Sequence, residues 1–489
     1  MEGLAFRAPS VPGSVGRSRG ASPARRALRN RSAAAAFLLV GLSLVGACRR
    51  EKSGPSRIES DQLRAPAQWL TQEPVALLRG YVRIDTSAAR GERAGAEFLA
   101  RIFECAGIQS EIVCPSPGRC NLLARLPGRR RHGALLLLNH IDVAEADPAL
   151  WKDAPPFEGT IKNGYLYGRG VYDMKSIAIA QALAMRGLKA RGVVPPADVL
   201  FLAEADEESR QLWGSRWLLE NRSEWFTGVR NVLNEGGVNE MILRDIRFWG
   251  IETVQAGYGV LELEAAEPGP LAAFAARWKK IPGTPVTALP VVVEGFGMLA
   301  NHLGHPLTDP LRHLDRVRGD PAELAKLPDR YGSFLEPRIY WSPAYRAADG
   351  PTGFRAFAVI STPPGVSPNP LLKALEAEAL RGGLRTRSEF SSGATVESPY
   401  PTPFTELLKR VTEVWFPGIP FGPVPTYGGI TTSVHFRSRG FPSYGYSPIA
   451  MNITDSSRRH GNDERIFLAD YVNGVRLYED LVLEYAAGR

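Results

Sequence analysis

From residue 73 onward the apolar positions of the chain follow two rhythms. Residues 94–106 repeat apolar side chains three and four apart, the pattern of a helix with one buried face. Residues 109–113 and 120–126 read as strands around a turn. The run 134–138, Ala-Leu-Leu-Leu-Leu, is the continuous aliphatic stretch of a strand covered on both faces. A short strand at 165–167, an Ala- and Leu-rich helix at 175–189, and buried strands at 199–203 and 231–233 extend the alternation. This order predicts an α/β fold, a three-layer sandwich around a largely parallel sheet. Between 251 and 365 the texture changes: 254–264 and 353–361 alternate apolar and polar, with Pro-rich and helical stretches between them. That segment predicts a smaller inserted α+β domain. The α/β texture then returns, with helices at 369–380, 404–415 and 468–485. The predicted α/β domain therefore has two parts, 73–250 and 366–489, and there is no internal repeat.

Composition changes the picture in one place. The formal charge of +8 on 489 residues suggests an acidic partner, but residues 1–50 hold nine Arg against the single acid Glu2, and the remainder is balanced. The body of the protein is neutral, so nucleic-acid binding has no electrostatic support. Seven Arg from Arg7 to Arg31 precede an apolar run at 33–47 that ends Leu44-Val45-Gly46-Ala47-Cys48. Such a run is shorter than the ~20 residues of a spanning helix and suits the core of a signal peptide. Small residues before Cys48 resemble a bacterial lipobox, which predicts export, a signal peptide over 1–48, a lipid anchor at Cys48 and a polar tether over 49–72. An ordinary cleaved signal or an uncleaved anchor is the competing reading. In an oxidising compartment Cys114 and Cys120 staple the ends of their Pro-Ser-Pro-Gly loop, or else all three of Cys105, Cys114 and Cys120 lie buried as small hydrophobes.

The candidate chemistry lies at five places: Asn139-His140-Ile141-Asp142, Gly168-Arg169-Gly170 through Asp173-Met174-Lys175, Asp206-Glu207-Glu208, Asn234-Glu235-Gly236-Gly237, and His460-Gly461-Asn462-Asp463-Glu464. His140, Glu207, Glu208 and Glu235 fall just after predicted strands, where α/β sheets bind ligands. Histidine with carboxylate suits zinc, cobalt or manganese, and the chain has only seven histidines. A dinuclear metal site follows as the leading expectation. In His140-x-Asp142 both side chains point to one side of an extended segment, so Asp142 is placed to accept the second imidazole N–H. Glu207 and Glu208 are too close in sequence to share one metal easily, so one is expected to ligate and the other to act as base. Taken singly, each motif has a plainer explanation: a surface pair, a helix N-cap at Asp173, a solvated acidic loop, a turn at Glu235, a surface His460.

Together, in this order, the motifs resemble the co-catalytic zinc peptidase family that includes aminoacylase, acetylornithine deacetylase, succinyl-diaminopimelate desuccinylase and carboxypeptidase S (peptidase family M20). The segment Tyr427-Gly428-Gly429-Ile430-Thr431-Thr432-Ser433 is similar to the family's glycine-rich substrate loop, which implies that Gly428, Gly429, Thr431 and Thr432 bind substrate. The resemblance spans about 73–485. It implies two zinc ions (cobalt or manganese as alternatives) bridged by Asp173, one held also by His140 and Glu235, the other by Glu208 and His460. It further implies Glu207 as general base toward a bridging water, Asp142 as the partner of His140, and a cis Asp173–Met174 peptide.

The departures fall in the inserted domain, which the resemblance implies is a lid over the catalytic domain. The family's Gly-His-x-Ser-x-Pro segment corresponds to Leu263-Glu264-Ala265-Ala266-Glu267-Pro268-Gly269-Pro270, without a His, and its Arg before a Pro-Gly turn corresponds to Ser361. His302, His305 and His313 are candidate replacements. The lid-mediated homodimer is in question for the same reason. The expected activity is hydrolysis of an amide bond in a small peptide or N-acyl amino acid, weak on free-carboxylate substrates. The rivals are a related dizinc aminopeptidase and a catalytically weak protein that retains the metal site for binding.

Overall fold

The computed structural model describes residues 72–488 apart from 210, 238, 243–244, 280, 282–287, 304–305, 318–319, 325, 328, 333, 347–352 and 427–429. The predicted signal peptide, Cys48 and nearly all of the predicted tether lie outside the described residues. So do His305, Gly428 and Gly429.

The central sheet has eight strands in the order Gln109–Ser116, Arg119–Leu126, Val199–Glu204, Ala134–His140, Val229–Asn234, Ser443–Gly445, Trp249–Gln255 and Phe421–Thr426. The four in the middle run parallel. An antiparallel hairpin extends one edge. A parallel pair of strands, joined antiparallel through Glu252 and Gly445, extends the other. Period-two alternation builds the layers. Leu135, Leu137, Val199, Phe201 and Ala203 enter a core shared with helices Glu73–Val82, Arg93–Cys105, Ser176–Ala190, Pro403–Trp415 and Leu468–Ala487. Their neighbours Leu136, Leu138, Leu200 and Leu202 face the opposite way, onto Leu218, Trp225 and Phe436. Every residue of Ala134–His140 is buried, which is why the aliphatic run shows no polar alternation. The sandwich is the expected one, with a mixed sheet whose centre is parallel.

The second sheet is antiparallel throughout. Gly257–Ala265 lies between Phe354–Thr362 and Arg385–Ser391, and Arg338–Trp341 pairs outside it. Helices Pro268–Arg277 and Asn369–Arg381 cover it, packing Leu271, Phe274, Leu372 and Leu375 onto Leu261, Leu263, Ala358 and Ile360. Apart from a segment around Pro290–Leu303, this unit therefore runs from Gly257 to Ser391, against the expected limits of 251 and 365. Two physical reasons account for the difference. Trp249–Gln255 is buried along its whole length and pairs in the central sheet, so alternation alone merged two strands into one. An amphipathic helix at 369–381 shows a buried face, but nothing local tells which sheet it covers.

Helix Pro290–Leu303 also leaves the lid. With Leu311, Tyr331 and Phe334 it forms a separate cluster around Phe248, Val254 and Val424, against the edge strand Phe421–Thr426. Gly295 permits this contact, because a Cβ there would lie 2.5 Å from the Pro423 carbonyl oxygen. Such a cover over an edge strand protects unpaired backbone groups. Cys114 and Cys120 form a disulfide across the hairpin of the first two strands, and Cys105 is free and exposed. Among the described residues no helix is long and apolar enough to cross a membrane.

Candidate metal centre and active site

Three parallel strands deliver the site. His140 closes Ala134–His140, Glu207 and Glu208 follow Val199–Glu204, and Glu235 follows Val229–Asn234. Asp173 arrives on the turn after Tyr165–Tyr167, where Gly170 adopts φ 79° and a Cβ would collide with Val143 Cγ1 at 2.3 Å. The Asp173–Met174 peptide is cis. His460 comes from a loop nearly three hundred residues further on.

The Asp173 carboxylate sits at the centre. Its Oδ1 lies 3.1 Å from His140 Nε2, and its Oδ2 lies 3.1 Å from His460 Nε2. Glu235 Oε1 is 3.5 Å from His140 Nε2, and Glu208 Oε2 is 2.9 Å from His460 Nε2. Two clusters result, His140–Asp173–Glu235 and Asp173–Glu208–His460, each with its ligand atoms within 4.8 Å of one another. All five residues singled out as metal ligands in the sequence thus come together, in the two groups the resemblance implies. Glu207 lies beside these clusters and is in neither. The donor set suits divalent cations: nitrogen and carboxylate oxygen, with one carboxylate facing both groups. Glu208 Oε1 is buried and makes no hydrogen bond, which a bound cation would explain.

Protonation follows the crowding. Burial, with the Asp173 charge nearby, pushes the Glu235 carboxyl up to about 7. Burial also holds Glu207 well above the usual carboxylate range, reinforced by Glu235, Glu208 and Asp142 and opposed by His140. Around His460 burial favours the neutral ring, yet Glu208 and Asp173 outweigh it and raise its value to about 11. Such stacking of like charge is what two cations would relieve.

Asp142 does more than was expected of it. The acceptor 2.8 Å from His140 Nδ1 is the backbone carbonyl of Asp142, while the carboxylate Oδ1 stands off at 3.6 Å. Either contact leaves Nε2 facing the metal position. The carboxylate itself accepts the backbone N–H groups of Glu207 at 3.1 Å and Glu208 at 2.8 Å, so it shapes the turn that presents both acids. Thr431 and Thr432 begin the segment that leads into helix Ser433–Ser438. Both are buried. Thr431 Oγ1 accepts from Gln255 Nε2 at 2.6 Å, and Thr432 Oγ1 donates to Glu204. Their hydroxyls tie the loop to the sheet.

Several residues of the site escaped the sequence reading. Glu464 accepts the backbone N–H groups of Gly170, Tyr172 and Asp173 at 3.1, 2.9 and 3.3 Å and pairs with Arg169 at 2.5 Å. Lys175 is buried and donates to the carbonyls of Tyr81, in the last turn of the first helix, and of Ile84, just past it, with its ammonium 4.8 Å from the Tyr81 ring. Burial lowers its value to about 7. Arg459 Nε lies 3.8 Å from Asp173 Oδ2. Gln211 and His435 stand behind Glu207. Glu464, Lys175 and Arg459 sit inside or beside a motif, which was the only signal available. Of the proposed lid histidines, His302 stacks on Phe248 in the helical cluster and His313 ends the turn Pro306–His313. No described contact brings either to the metal ligands.

An α/β sandwich that gathers two overlapping sets of metal ligands at its strand ends belongs to the metal-dependent hydrolases. More narrowly, the chain is a member of peptidase family M20/M25/M40, whose profile matches residues 136–484. It is 26% identical over 436 residues to the N-fatty-acyl-amino acid synthase/hydrolase PM20D1 of Xenopus tropicalis, covering 80% of this chain and 82% of that one. It is 24% identical over 371 residues to a Dictyostelium discoideum protein described as a probable carboxypeptidase S-like 1, covering 72% of each. In fold it is similar to the M20 family metallo-carboxypeptidase Sso-CP2 from Sulfolobus solfataricus, with TM-score 0.67 and 16% identity over 85% of this chain and 100% of that one. The chain is therefore a metallopeptidase-family hydrolase.

Proposed function

We propose that the chain hydrolyses the amide bond of a small peptide or N-acyl amino acid, using two divalent cations and Glu207 as general base. The observation that carries this reading is the pair of ligand clusters sharing Asp173, with Glu207 beside both and a ligand of neither. His140 and Glu235 would hold one cation, Glu208 and His460 the other, and Asp173 would bridge them. When bound, the cations supply the charge that acidifies an attacking water and polarises the scissile carbonyl. Glu207 takes the proton of that water and delivers it to the leaving nitrogen. Asp142 keeps Glu207 and Glu208 at their separate tasks by fixing the backbone of both. Zinc is the expected metal, with cobalt and manganese as alternatives.

Metal analysis of the purified protein is expected to give two ions per chain, and Asp173→Ala to release both. At most one ion, unaffected by Asp173→Ala, would contradict the dinuclear reading. A panel of dipeptides and N-acyl amino acids, assayed with zinc, cobalt and manganese, identifies the substrate class. Weak turnover of free-carboxylate substrates is expected, because Ser361 and the 263–270 segment lack the family's lid Arg and His. We further propose that the protein is exported and anchored through a lipid on Cys48. Cys48→Ser is expected to move it from the membrane fraction to the soluble one, and an unchanged partition and mass would rule the anchor out.

A further inference from the structure

The loop after Val199–Glu204 passes twice through left-handed backbone without glycine, at Asp206 (φ 66°) and Gln211 (φ 52°). Residues with a Cβ avoid that region, and glycine enters it freely. Something must therefore favour a long side chain at 211. Gln211 is buried, and its amide is engaged at both ends. Nε2 donates to Glu207 Oε1 at 3.2 Å and to the Glu207 carbonyl at 3.3 Å. Oε1 lies 3.1 Å from His435 Nε2. His435 is carried by the helix Ser433–Ser438, directly after Thr431 and Thr432, and Phe390 of the second sheet meets its ring edge-on at 6.4 Å. Burial, with Arg216 and Arg439 nearby, pushes His435 down to about 4, so the ring is neutral. A neutral ring that donates from Nε2 takes the amide oxygen of Gln211 and leaves its NH₂ for Glu207. The opposite tautomer would turn the amide oxygen toward a carboxylate. The chain of contacts therefore has one favourable direction, from His435 through Gln211 to Glu207.

We propose that Gln211 and His435 are positioning residues that hold the Glu207 carboxylate in the orientation needed for proton transfer. The inference rests on Glu207 being the general base. It also gives the second sheet a mechanical link to the chemistry, since Phe390 packs on the ring that begins the chain.

Gln211→Gly separates positioning from folding, because glycine suits the left-handed backbone better than glutamine does. The variant is expected to fold and to bind two zinc ions, the relief of the left-handed backbone offsetting part of the cost of the lost side-chain hydrogen bonds. Its KM should stay near wild type on the fastest substrate of the panel, while kcat falls by about 10²-fold, the scale of a misplaced catalytic group. His435→Leu should lower kcat in the same sense. His435→Gln, which returns a donor near the Nε2 position, should recover most of the loss. In a Glu207→Gln background, Gln211→Gly should have no further effect, since residues acting as a unit are not additive. A reading independent of turnover is the ¹⁵N spectrum of histidine-labelled zinc protein: a neutral Nε2–H form of His435 is expected, and Gln211→Gly should perturb it. Wild-type kcat in Gln211→Gly, loss of metal in that variant, or an Nδ1–H form of His435 would each overturn the proposal. Full activity in Glu207→Gln would instead remove the base assignment itself, so the two failures are distinguishable.

Discussion

Glu207→Gln is expected to keep both metal ions and the fold while lowering kcat by ~10²–10⁴-fold, the usual contribution of a general acid–base group. The substitution is nearly isosteric. A Gln at 207 still accepts the Gln211 amide, and the backbone N–H of the residue still reaches Asp142 at 3.1 Å. What it loses is the ability to take up a proton. Metal binding is expected to survive because Glu207 is in neither ligand cluster. Glu208→Gln should behave differently. It removes a carboxylate that stands 2.9 Å from His460 Nε2, so metal occupancy is expected to fall with activity. Metal content and single-substrate kinetics on the two variants decide the matter. If Glu208→Gln keeps two ions while Glu207→Gln loses one, the roles of the pair are exchanged.

Much of this site was legible because its parts sit where patterns are strongest. Ala134–His140 reads as a buried strand, so the polar residues at its end, His140 and Asp142, stand out by contrast. The same holds for Glu207 and Glu208 after Val199–Glu204, and for Glu235 after Val229–Asn234. Asp173 and His460 have no such local signal. An acid after Gly-Arg-Gly is more often a cap, and a His in a charged loop more often a surface residue. Their assignment depended on the order of all five motifs and on the family they resemble.

What was not legible depends on contacts between distant segments. Nothing near Arg385–Ser391 says that it pairs with Gly257–Ala265, so the limits of the second unit were drawn short. Thr431 and Thr432 carry hydroxyls in a glycine-rich loop, yet their partners Gln255 and Glu204 lie well over a hundred residues away in sequence. Gln211 could be recognised only through its backbone angle and the His435 ring, and neither is written in the sequence.

Glu464 is the clearest of these long-range residues, and its removal is the second large effect expected. Its carboxylate is buried with the guanidinium of Arg169, at 1% and 2% side-chain exposure. It also accepts three backbone N–H groups of the turn that carries Asp173. Arg169 in turn donates to the Gly461 carbonyl at 2.8 Å, next to His460. One buried ion pair thus ties the bridging carboxylate to the loop of the last histidine. Breaking such a pair from one side strands a charge and costs ~3–5 kcal/mol, and here three amides lose their acceptor as well. Glu464→Ala is therefore expected to lower the denaturant midpoint substantially. The effect should be larger than that of Arg169→Met, which leaves the carboxylate to the three amides. Because both Asp173 and His460 hang on this clamp, the gain in Tm on adding zinc should also shrink in Glu464→Ala. A variant as stable as wild type, with the same zinc-induced gain, would show that the turn holds Asp173 without the clamp.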